Sequence, residues 1–408
     1  MHRITVLGVT VFAALGTAAI AIPIATVASP ATQAALSWQA AWRTAPQPPL
    51  DSGPSHDGFT NQTVRMIIDP TAGGQAVRVR LTNRYGTNPL QVGAVAVADQ
   101  DAGPIVTAPT QRIVTFAQQG STTIPVGAEA VSDPVPFHVR AGQPLAVSVY
   151  LSGSTGPATW HRLAQRTSYV SGHGNWAAEP GGSPYQSISS SSFFLAGVDV
   201  HTRAPAGTVV AFGDSITDGA YSTIDADRTY VDDLARRVGT VAVVNEGIGG
   251  NRILTSTPIG GPSALQRFGQ DALDQPGVST VIFLEGVNDI GASATSQQII
   301  DAMTRLIGQA HARCVRIIGG TISPFGGSVY DTPAHEQTRQ AVNQWIRESG
   351  QFDGVVDFDK ALRDPSDPQV IDPRYHTVGD LHPNDSGYQV MADTVDRAQL
   401  TAGATCAA

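Results

Sequence analysis

The hydrophobic and polar positions of this 408-residue chain follow two different rhythms. Between residues 36 and 202, apolar and polar residues alternate in short runs that turn residues separate, the pattern of half-buried antiparallel strands. The runs are TVRMIID, AVRVRLTN, LQVGAVAVAD, VPFHVRAG, PLAVSVYL and FFLAGVDV. This pattern predicts an antiparallel β-sandwich domain over residues 36–202.

From residue 208 onward, near-continuous apolar runs alternate with stretches of helix length. The runs are TVVAFG, VAVVNEG, STVIFLEG, VRIIGGT and GVVDFD, and helices are predicted over 295–312, 333–349 and 385–398. Such alternation is typical of βαβ units, whose parallel sheet is covered by helices on both faces. It predicts a three-layer α/β/α domain over residues 208–408, joined to the first domain by a linker at 203–207.

Residues 1–35 follow a third pattern. A basic start is followed by an uncharged apolar stretch, ITVLGVTVFAALGTAAIAI, and then by small residues. This layout predicts a signal peptide that is cleaved between Ala28 and Ala35, and therefore a secreted protein. A retained membrane anchor is the alternative, because the apolar run approaches the roughly 20 residues that span a bilayer.

The composition excludes several classes of protein. Hydrophobic residues make up 41% of the chain, which is enough to bury a core in each domain. The 25 basic and 34 acidic residues give a formal net charge of -9. Such a chain offers no cationic surface to phosphate backbones or anionic lipid. We therefore expect no nucleic-acid partner and no stable membrane insertion of the mature chain.

Residues with catalytic chemistry follow the predicted parallel strands. Ser215 comes after the first strand, Gly250 after the second and Asn288 after the third, and His382 lies near the C-terminus. The carboxyl ends of parallel strands meet in one crevice, so these residues are expected to share a site.

Together these residues supply what acyl transfer requires. Ser215 is the candidate nucleophile, and His382 is the candidate base that accepts its proton. The backbone N–H groups of Ser215 and Gly250 and the side-chain amide of Asn288 are the candidate donors to an oxyanion. Gly250 suits this role because a residue without Cβ lets its backbone approach a substrate.

The four segments also resemble the four blocks of the SGNH, or GDSL-type, hydrolases, in the family's order. They read GDSIT, NEGIGGN, GVND and DLHPN. The resemblance covers about residues 208–400 and implies Ser215 as nucleophile, Gly250 and Asn288 as oxyanion donors and His382 as base. The wider sequence is similar to secreted bacterial GDSL-type esterases and lipases that carry a β-rich N-terminal domain.

The acidic member of the expected triad departs from the family pattern. The family usually places its aspartate three residues before the histidine, where this chain has Gly379, and Asp380 stands two before. Side chains two apart in an extended segment point the same way, so Asp380 is the candidate acid. A Ser/His dyad whose imidazole is oriented by a backbone carbonyl is the alternative. Asp214 and Asp289 are expected to support the turns of the site.

The two cysteines give a separate topological prediction. Cys314 begins a predicted strand, and the helix after His382 descends to that same end of the sheet, where Cys406 emerges. We therefore expect a Cys314–Cys406 disulfide, which an oxidising compartment would preserve. Two unpaired thiols are the alternative.

These patterns together predict a secreted serine esterase or lipase that uses no metal and no cofactor. The expected substrates are small-molecule, lipid or carbohydrate esters that are neutral and carry acyl or acetyl groups. The first domain could bind carbohydrate through Trp38, Trp42 and Trp160, although tryptophans in a sandwich more often belong to the core, or it could wall the cleft. The alternative function is a non-catalytic glycan- or surface-binding protein on a hydrolase-like scaffold.

Overall fold

The computed structural model of the protein describes residues 1–2, 8, 10, 36–203, 207–239, 241–377 and 381–401. The elements below belong to the unit Ala35–Ala408. Its first half is rich in strands: β1 (Ser37–Arg43), β2 (Thr60–Ile68), β3 (Gly74–Thr82), β4 (Leu90–Ala102), β5 (Ile105–Val106), β6 (Arg112–Val114), β7 (Thr122–Ile124), β8 (Glu129–Val131), β9 (Val135–Val139), β10 (Leu145–Ser154), β11 (Trp160–His161), β12 (Ser168–His173), β13 (Tyr185–Ser189), β14 (Ser192–Phe193) and β15 (Leu195–Thr202).

These strands pair antiparallel, as the alternating pattern predicts. One sheet has the order β1-β15-β3-β8, and a second has the order β13-β12-β2-β10-β4-β5. Strand β9 shows the alternation directly, because Val135, Phe137 and Val139 are buried while the residues between them are exposed. Apolar side chains from both sheets share one core cluster. The antiparallel, β-rich character is confirmed, and the sandwich arrangement stays a prediction.

The second half carries the parallel sheet. Its strands are β16 (Thr208–Gly213), β17 (Ala242–Gly247), β18 (Val278–Leu284), β19 (Arg316–Gly320) and β20 (Gly354–Val356). They lie in the order β17-β16-β18-β19-β20, and each neighbouring pair is parallel. Every residue of β16 is buried, which explains why these strands appear in the sequence as apolar runs without alternation.

Helices connect and surround the strands. They are α1 (Pro54–Asp57), α2 (Ser215–Asp218), α3 (Tyr230–Val238), α4 (Ala264–Phe268), α5 (Val287–Gly291), α6 (Ser296–His311), α7 (Pro333–Glu348), α8 (Phe358–Leu362), α9 (Asp385–Thr394) and α10 (Arg397–Thr401). A 3-10 turn spans Ala108–Thr110, and a π-helical turn follows α4 at Gly269–Leu273.

The two long helices each begin directly after a threonine that caps the N-terminus. Helix α6 starts after Thr295, whose hydroxyl accepts the Gln298 N–H while the Gln298 side chain accepts the Thr295 N–H. This reciprocal capping satisfies two backbone donors that the first turn leaves without partners. Helix α7 starts after Thr332, which caps the His335 N–H. The helices predicted over 295–312 and 333–349 are thus confirmed.

The helix predicted over 385–398 is wrong in its length. Helix α9 ends at Thr394, and α10 begins at Arg397. Between them, Val395 is extended with a ψ of 119° and is buried in the core. The Asp396 side chain then accepts the Ala398 N–H and starts a new helix. Burial of the Val395 side chain and the new N-terminal cap at Asp396 therefore stabilise the break more than a continuous helix would be stabilised.

The two halves pack against each other. The Ala40 N–H of β1 donates to Pro276 O at 3.1 Å, and Ala40 belongs to the core cluster of the parallel sheet. Arg84 forms a 2.8 Å ion pair with the buried Asp271. The first half therefore contributes directly to the environment of the parallel sheet. Residues 204–206 of the predicted linker lie outside the described residues.

Two other predictions fall at the ends of the chain. Residues 3–7, 9 and 11–35 of the predicted signal peptide lie outside the described residues. Within the residues that are described, no helix has both the length and the apolar character needed to cross a membrane. Cys314 lies in the turn before β19 with a φ of 57°, and Cys406 lies outside the described residues.

Candidate active site

The ends of three neighbouring strands define the position of the site. Gly213, at the end of β16, is paired with Gly247 of β17 on one side and with Leu284 of β18 on the other. The strands therefore end level with one another, at the point where the chain crosses back from β17 over β16 to β18. Ligands of open α/β sheets bind beyond the strand ends at such a switch point.

Ser215 lies at the first turn of α2, directly after β16. Asp214 caps this helix, because its Oδ1 accepts the Ile216 N–H at 3.0 Å. Gly213 leaves no room for a side chain, since a Cβ there would lie 2.1 Å from Thr217 Oγ1. The tight strand-to-helix turn therefore fixes the direction of the Ser215 hydroxyl.

His382 meets Ser215 although 167 positions separate the two residues. Ser215 Oγ lies 2.7 Å from His382 Nε2, a normal distance for a hydrogen bond between a hydroxyl and an imidazole. The imidazole also packs against the Tyr221 ring, with 5.1 Å between ring centroids. Asn384 caps the helix that follows, α9, by accepting the Gly387 N–H. The predicted pair is thus within hydrogen-bonding distance.

Two backbone donors lie beside this pair. Gly250 has a φ of +80°, a conformation that glycine adopts without strain. Among the described residues, the N–H groups of Gly250 and Ser215 have no hydrogen-bond acceptor. The preceding Gly249 N–H donates to Asp218 Oδ2 at 2.7 Å, which fixes the turn. Both free donors are available to a ligand oxygen.

The Asn288 amide is held in one orientation. Its Nδ2 donates to Asn251 O at 2.9 Å, and its Oδ1 accepts the Tyr330 hydroxyl at 3.0 Å. A carbonyl oxygen only accepts, so the amide nitrogen must face Asn251. The second hydrogen of Nδ2 remains for another acceptor.

Ser215, Gly250, Asn288 and His382 all line one cleft of about 580 Å³. This volume lies within the range of small-molecule sites, roughly 300–1,000 Å³. Apolar side chains line the rest of the cleft on the parallel-sheet side: Ala220, Tyr221, Val329 and Leu381. The first half contributes Arg162, Leu163 and Gln165. The structure thus brings the four predicted residues into one cavity that both halves enclose.

Residues 211–390 match the sequence model of the GDSL-like lipase/acylhydrolase family. Those residues form a GDSL-like lipase/acylhydrolase domain. The match supports an ester-hydrolysing enzyme in general terms. No curated protein matches the chain.

Three solved structures are examples of proteins to which part of the chain is similar. A member of the lipolytic G-D-S-L family from Veillonella parvula is 21% identical over 46% of this chain and 94% of its own, with a TM-score of 0.37. An inhibitor-bound aryl esterase of M. smegmatis is 14% identical over 46% and 95%, with a TM-score of 0.38. The carbohydrate acetylesterase Est24 of Sinorhizobium meliloti is 13% identical over 46% and 94%, with a TM-score of 0.37.

A buried pair that the sequence does not reveal supports the glycine turn of the GDSL-like domain. Asp218 Oδ1 lies 3.0 Å from His161 Nε2, and His161 Nδ1 lies 2.9 Å from Ala45 O. Both hydrogen-bond partners of the ring are oxygen atoms, an arrangement that favours a protonated, cationic imidazole. Burial opposes this charge, but Asp218 and the Ala45 carbonyl prevail and raise the pKa of His161. An isolated histidine in a β-rich segment gives no sequence signal of this contact.

Asp289 supports the segment that follows the glycine turn. Its carboxylate accepts the Ile253 N–H at 2.7 Å and the Leu254 N–H at 3.0 Å. Burial raises the pKa of Asp289, and the two N–H donors oppose that rise. The residue thus joins the end of β18 to the loop that carries Gly250.

A buried arginine lies beneath the three strand ends. Arg267 is 2% exposed, and its guanidinium stacks on the Phe212 ring, 3.8 Å from the ring centroid. Its nitrogens donate to three successive segments of the site: the carbonyl oxygens of Gly213 and Glu246, each at 2.8 Å, and Asn251 Oδ1 at 2.9 Å. The guanidinium therefore holds β16, β17 and the glycine loop at fixed distances from one another.

The same guanidinium lies among buried carboxyl groups. Its nitrogens are 3.3 Å from Glu285 Oε1 and 3.5 Å from Asp271 Oδ2. Burial raises the pKa of Glu285 well above its usual range, the Asp214 carboxylate adds to the rise, and Arg267 opposes it. Burial also raises the pKa of Asp214 to about 7.

One predicted site residue has no described position. Asp380 and its neighbour Gly379 lie outside the described residues. Over the part of the chain that is described, no group of three or more His, Cys, Asp or Glu side chains is arranged to hold a metal ion.

We expect Arg267→Met to lower the free energy of unfolding by about 3–5 kcal/mol, because it leaves buried carboxyl groups and carbonyl oxygens without their donor. Urea denaturation at neutral pH measures this loss. The control is Arg305→Met, which removes an exposed arginine of α6 and should change stability by less than about 0.5 kcal/mol. Equal effects of the two substitutions would contradict the role of Arg267.

Proposed function

We propose that this protein is a serine esterase that hydrolyses carboxylic esters through an acyl-enzyme. The observation that carries the proposal is the 2.7 Å contact between Ser215 Oγ and His382 Nε2, in a cleft that also presents Gly250 and Asn288. A hydroxyl, a base within hydrogen-bonding distance and convergent donors are the parts that acyl transfer uses.

The reaction follows from this arrangement. Ser215 Oγ attacks the ester carbonyl while His382 Nε2 takes its proton, and the carbonyl oxygen becomes negative. The N–H groups of Ser215 and Gly250 and the second Nδ2 hydrogen of Asn288 stabilise that oxyanion. The imidazolium then gives its proton to the leaving alkoxide, and an acyl-Ser215 ester and an alcohol result. A water molecule, deprotonated by His382, releases the carboxylic acid and restores the serine.

Asp380 is proposed as the group that orients His382. The carboxylate in such a triad fixes the imidazole tautomer and stabilises the imidazolium. The alternative remains a dyad in which a backbone carbonyl accepts the Nδ1 hydrogen. In both arrangements Nε2 faces Ser215 Oγ and accepts the serine proton.

The proposed substrates are acyl or acetyl esters of lipid or carbohydrate. Apolar and aromatic side chains line part of the cleft, and two of them, Val329 and Tyr221, are 92% and 62% exposed. Such a lining favours an acyl or aryl group. We further propose that the first half walls this cleft, because Trp160 is buried and donates to Pro48 O, whereas Arg162, Leu163 and Gln165 line the cleft.

Replacing Ser215 with Ala should lower kcat by about a thousandfold or more, as expected when a nucleophile is lost. Hydrolysis of a series of p-nitrophenyl esters from acetate to palmitate measures the loss and also reports the preferred acyl length. Ser366→Ala, at an exposed serine, is the matched control and should leave kcat unchanged. Near-normal turnover of Ser215→Ala would place the nucleophile elsewhere, and inactivity of the wild type towards every ester would favour a binding protein.

The substitution Asp380→Asn separates the two arrangements of the base. Loss of the carboxylate in a triad lowers kcat by roughly 10⁴-fold, because the imidazole loses its tautomer and its counter-charge. We expect a loss of about that size. A change of only a few-fold would instead show that a backbone carbonyl orients His382. Asp367→Asn, on the exposed surface, controls for the lost charge.

We also propose that the protein is secreted and carries a Cys314–Cys406 disulfide. Intact-mass analysis of the exported protein should give a chain that begins between Ala28 and Ala35 and is two hydrogens lighter than its reduced form. The Cys314→Ser variant should lose that difference. A mass that retains the first 28 residues would support the membrane anchor, and alkylation of thiols without prior reduction would contradict the disulfide.

A further inference from the structure

Arg162 is placed in the cleft by fixed backbone contacts. It follows His161, which is clamped between Ala45 and Asp218. The Arg162 N–H donates to Gln47 Oε1 at 2.9 Å, and its carbonyl accepts the Ser191 hydroxyl at 2.8 Å. The backbone of this residue therefore has little freedom, and the side chain projects into the cleft from a defined point.

The guanidinium lies against the glycine turn of the oxyanion site. Arg162 Nη2 is 2.9 Å from the position that a Cβ on Gly249 would occupy. A side chain at 249 would therefore displace the guanidinium. The absence of Cβ at Gly249 allows the cation to lie one residue away from the donor at Gly250.

This cation has no ionic partner among the described residues. Within the described ranges, no carboxylate lies within 4.0 Å of it, whereas Arg166, four positions later, forms ion pairs with Asp69 and Asp227. Arg162 Nε is buried and has no hydrogen-bond acceptor in the described part of the chain. The nearby Asp218 has one oxygen on His161 and the other on the Gly249 N–H.

The charged groups that line the cleft indicate which ligands it favours. Over the described residues, the cleft lining contains the guanidinium of Arg162 and no carboxylate. A guanidinium presents N–H donors in a planar fork that matches a carboxylate or a phosphate. Donors that are partly desolvated and have no protein acceptor gain most from a charged acceptor on a ligand.

We propose that Arg162 is a specificity-determining residue that binds an anionic group, a carboxylate or a phosphate, on the ester substrate. This inference rests on the proposed esterase function and deepens it, because it replaces the expected neutral ester with an anionic one. It also gives the β-rich half a part in substrate choice, since Arg162 belongs to that half.

Matched esters test the proposal. The acyl pair is mono-p-nitrophenyl glutarate and its neutral counterpart p-nitrophenyl valerate. The alcohol pair is the acetate ester of para-hydroxybenzoate and that of para-hydroxybenzamide. We expect the wild type to prefer the anionic member of at least one pair, and the pair that shows this identifies which side of the ester Arg162 contacts.

The variant Arg162→Gln should lower kcat/KM for that anionic ester by about tenfold or more, the effect of one lost hydrogen bond to a charged group. The neutral ester of the same pair should change by less than about twofold, which also shows that the variant is folded. Arg162→Lys should retain part of the preference, because it keeps the charge and loses the fork. Arg305→Gln, which removes an exposed charge on α6, should leave both ratios unchanged.

The results distinguish a failure of the Arg162 assignment from a failure of the esterase proposal. Equal changes for the charged and neutral esters of both pairs, or no change at all in Arg162→Gln, would overturn the assignment of Arg162 and leave the esterase proposal intact. Hydrolysis of none of the four esters by the wild type would overturn the esterase function and the assignment together.

Discussion

The geometry of the candidate site depends on one buried guanidinium. Arg267 binds the carbonyl oxygens at the ends of β16 and β17 and the side chain of Asn251 in the loop beyond. Parallel strands deliver their carboxyl ends to one edge of the sheet, and this cross-link joins the loops after them to one another. Catalytic groups require precise placement, because small displacements cost large factors in rate.

A second charged contact extends this framework into the β-rich half. His161 contacts Asp218, and Asp218 in turn accepts the Gly249 N–H. The turn that presents Gly250 is therefore supported from both halves of the chain. The same segment places Arg162 in the cleft, so the β-rich half contributes to the support of the donors and to the wall that a substrate meets.

Much of this could be predicted from the sequence, for identifiable reasons. Strands buried on both faces appear as apolar runs, so the parallel sheet and the positions of Ser215, Gly250 and Asn288 at strand ends could be inferred. His382 could be named as a candidate base from its residue type, and the family resemblance supported its pairing with a serine so distant in sequence. His161 and Arg162 were missed because their contacts depend on how the two halves pack. The break at Val395 was missed because core burial overrides helix periodicity there.

The central claim is that Ser215 and His382 work together beneath donors from Gly250 and Asn288. Treatment of the wild-type protein with a fluorophosphonate, followed by a crystal structure of the product, tests it most directly. The account predicts a phosphorus–oxygen bond to Ser215 Oγ, with the phosphoryl oxygen within hydrogen-bonding distance of the Gly250 N–H and Asn288 Nδ2. A protein that stays unlabelled, or an adduct on another residue, would contradict it.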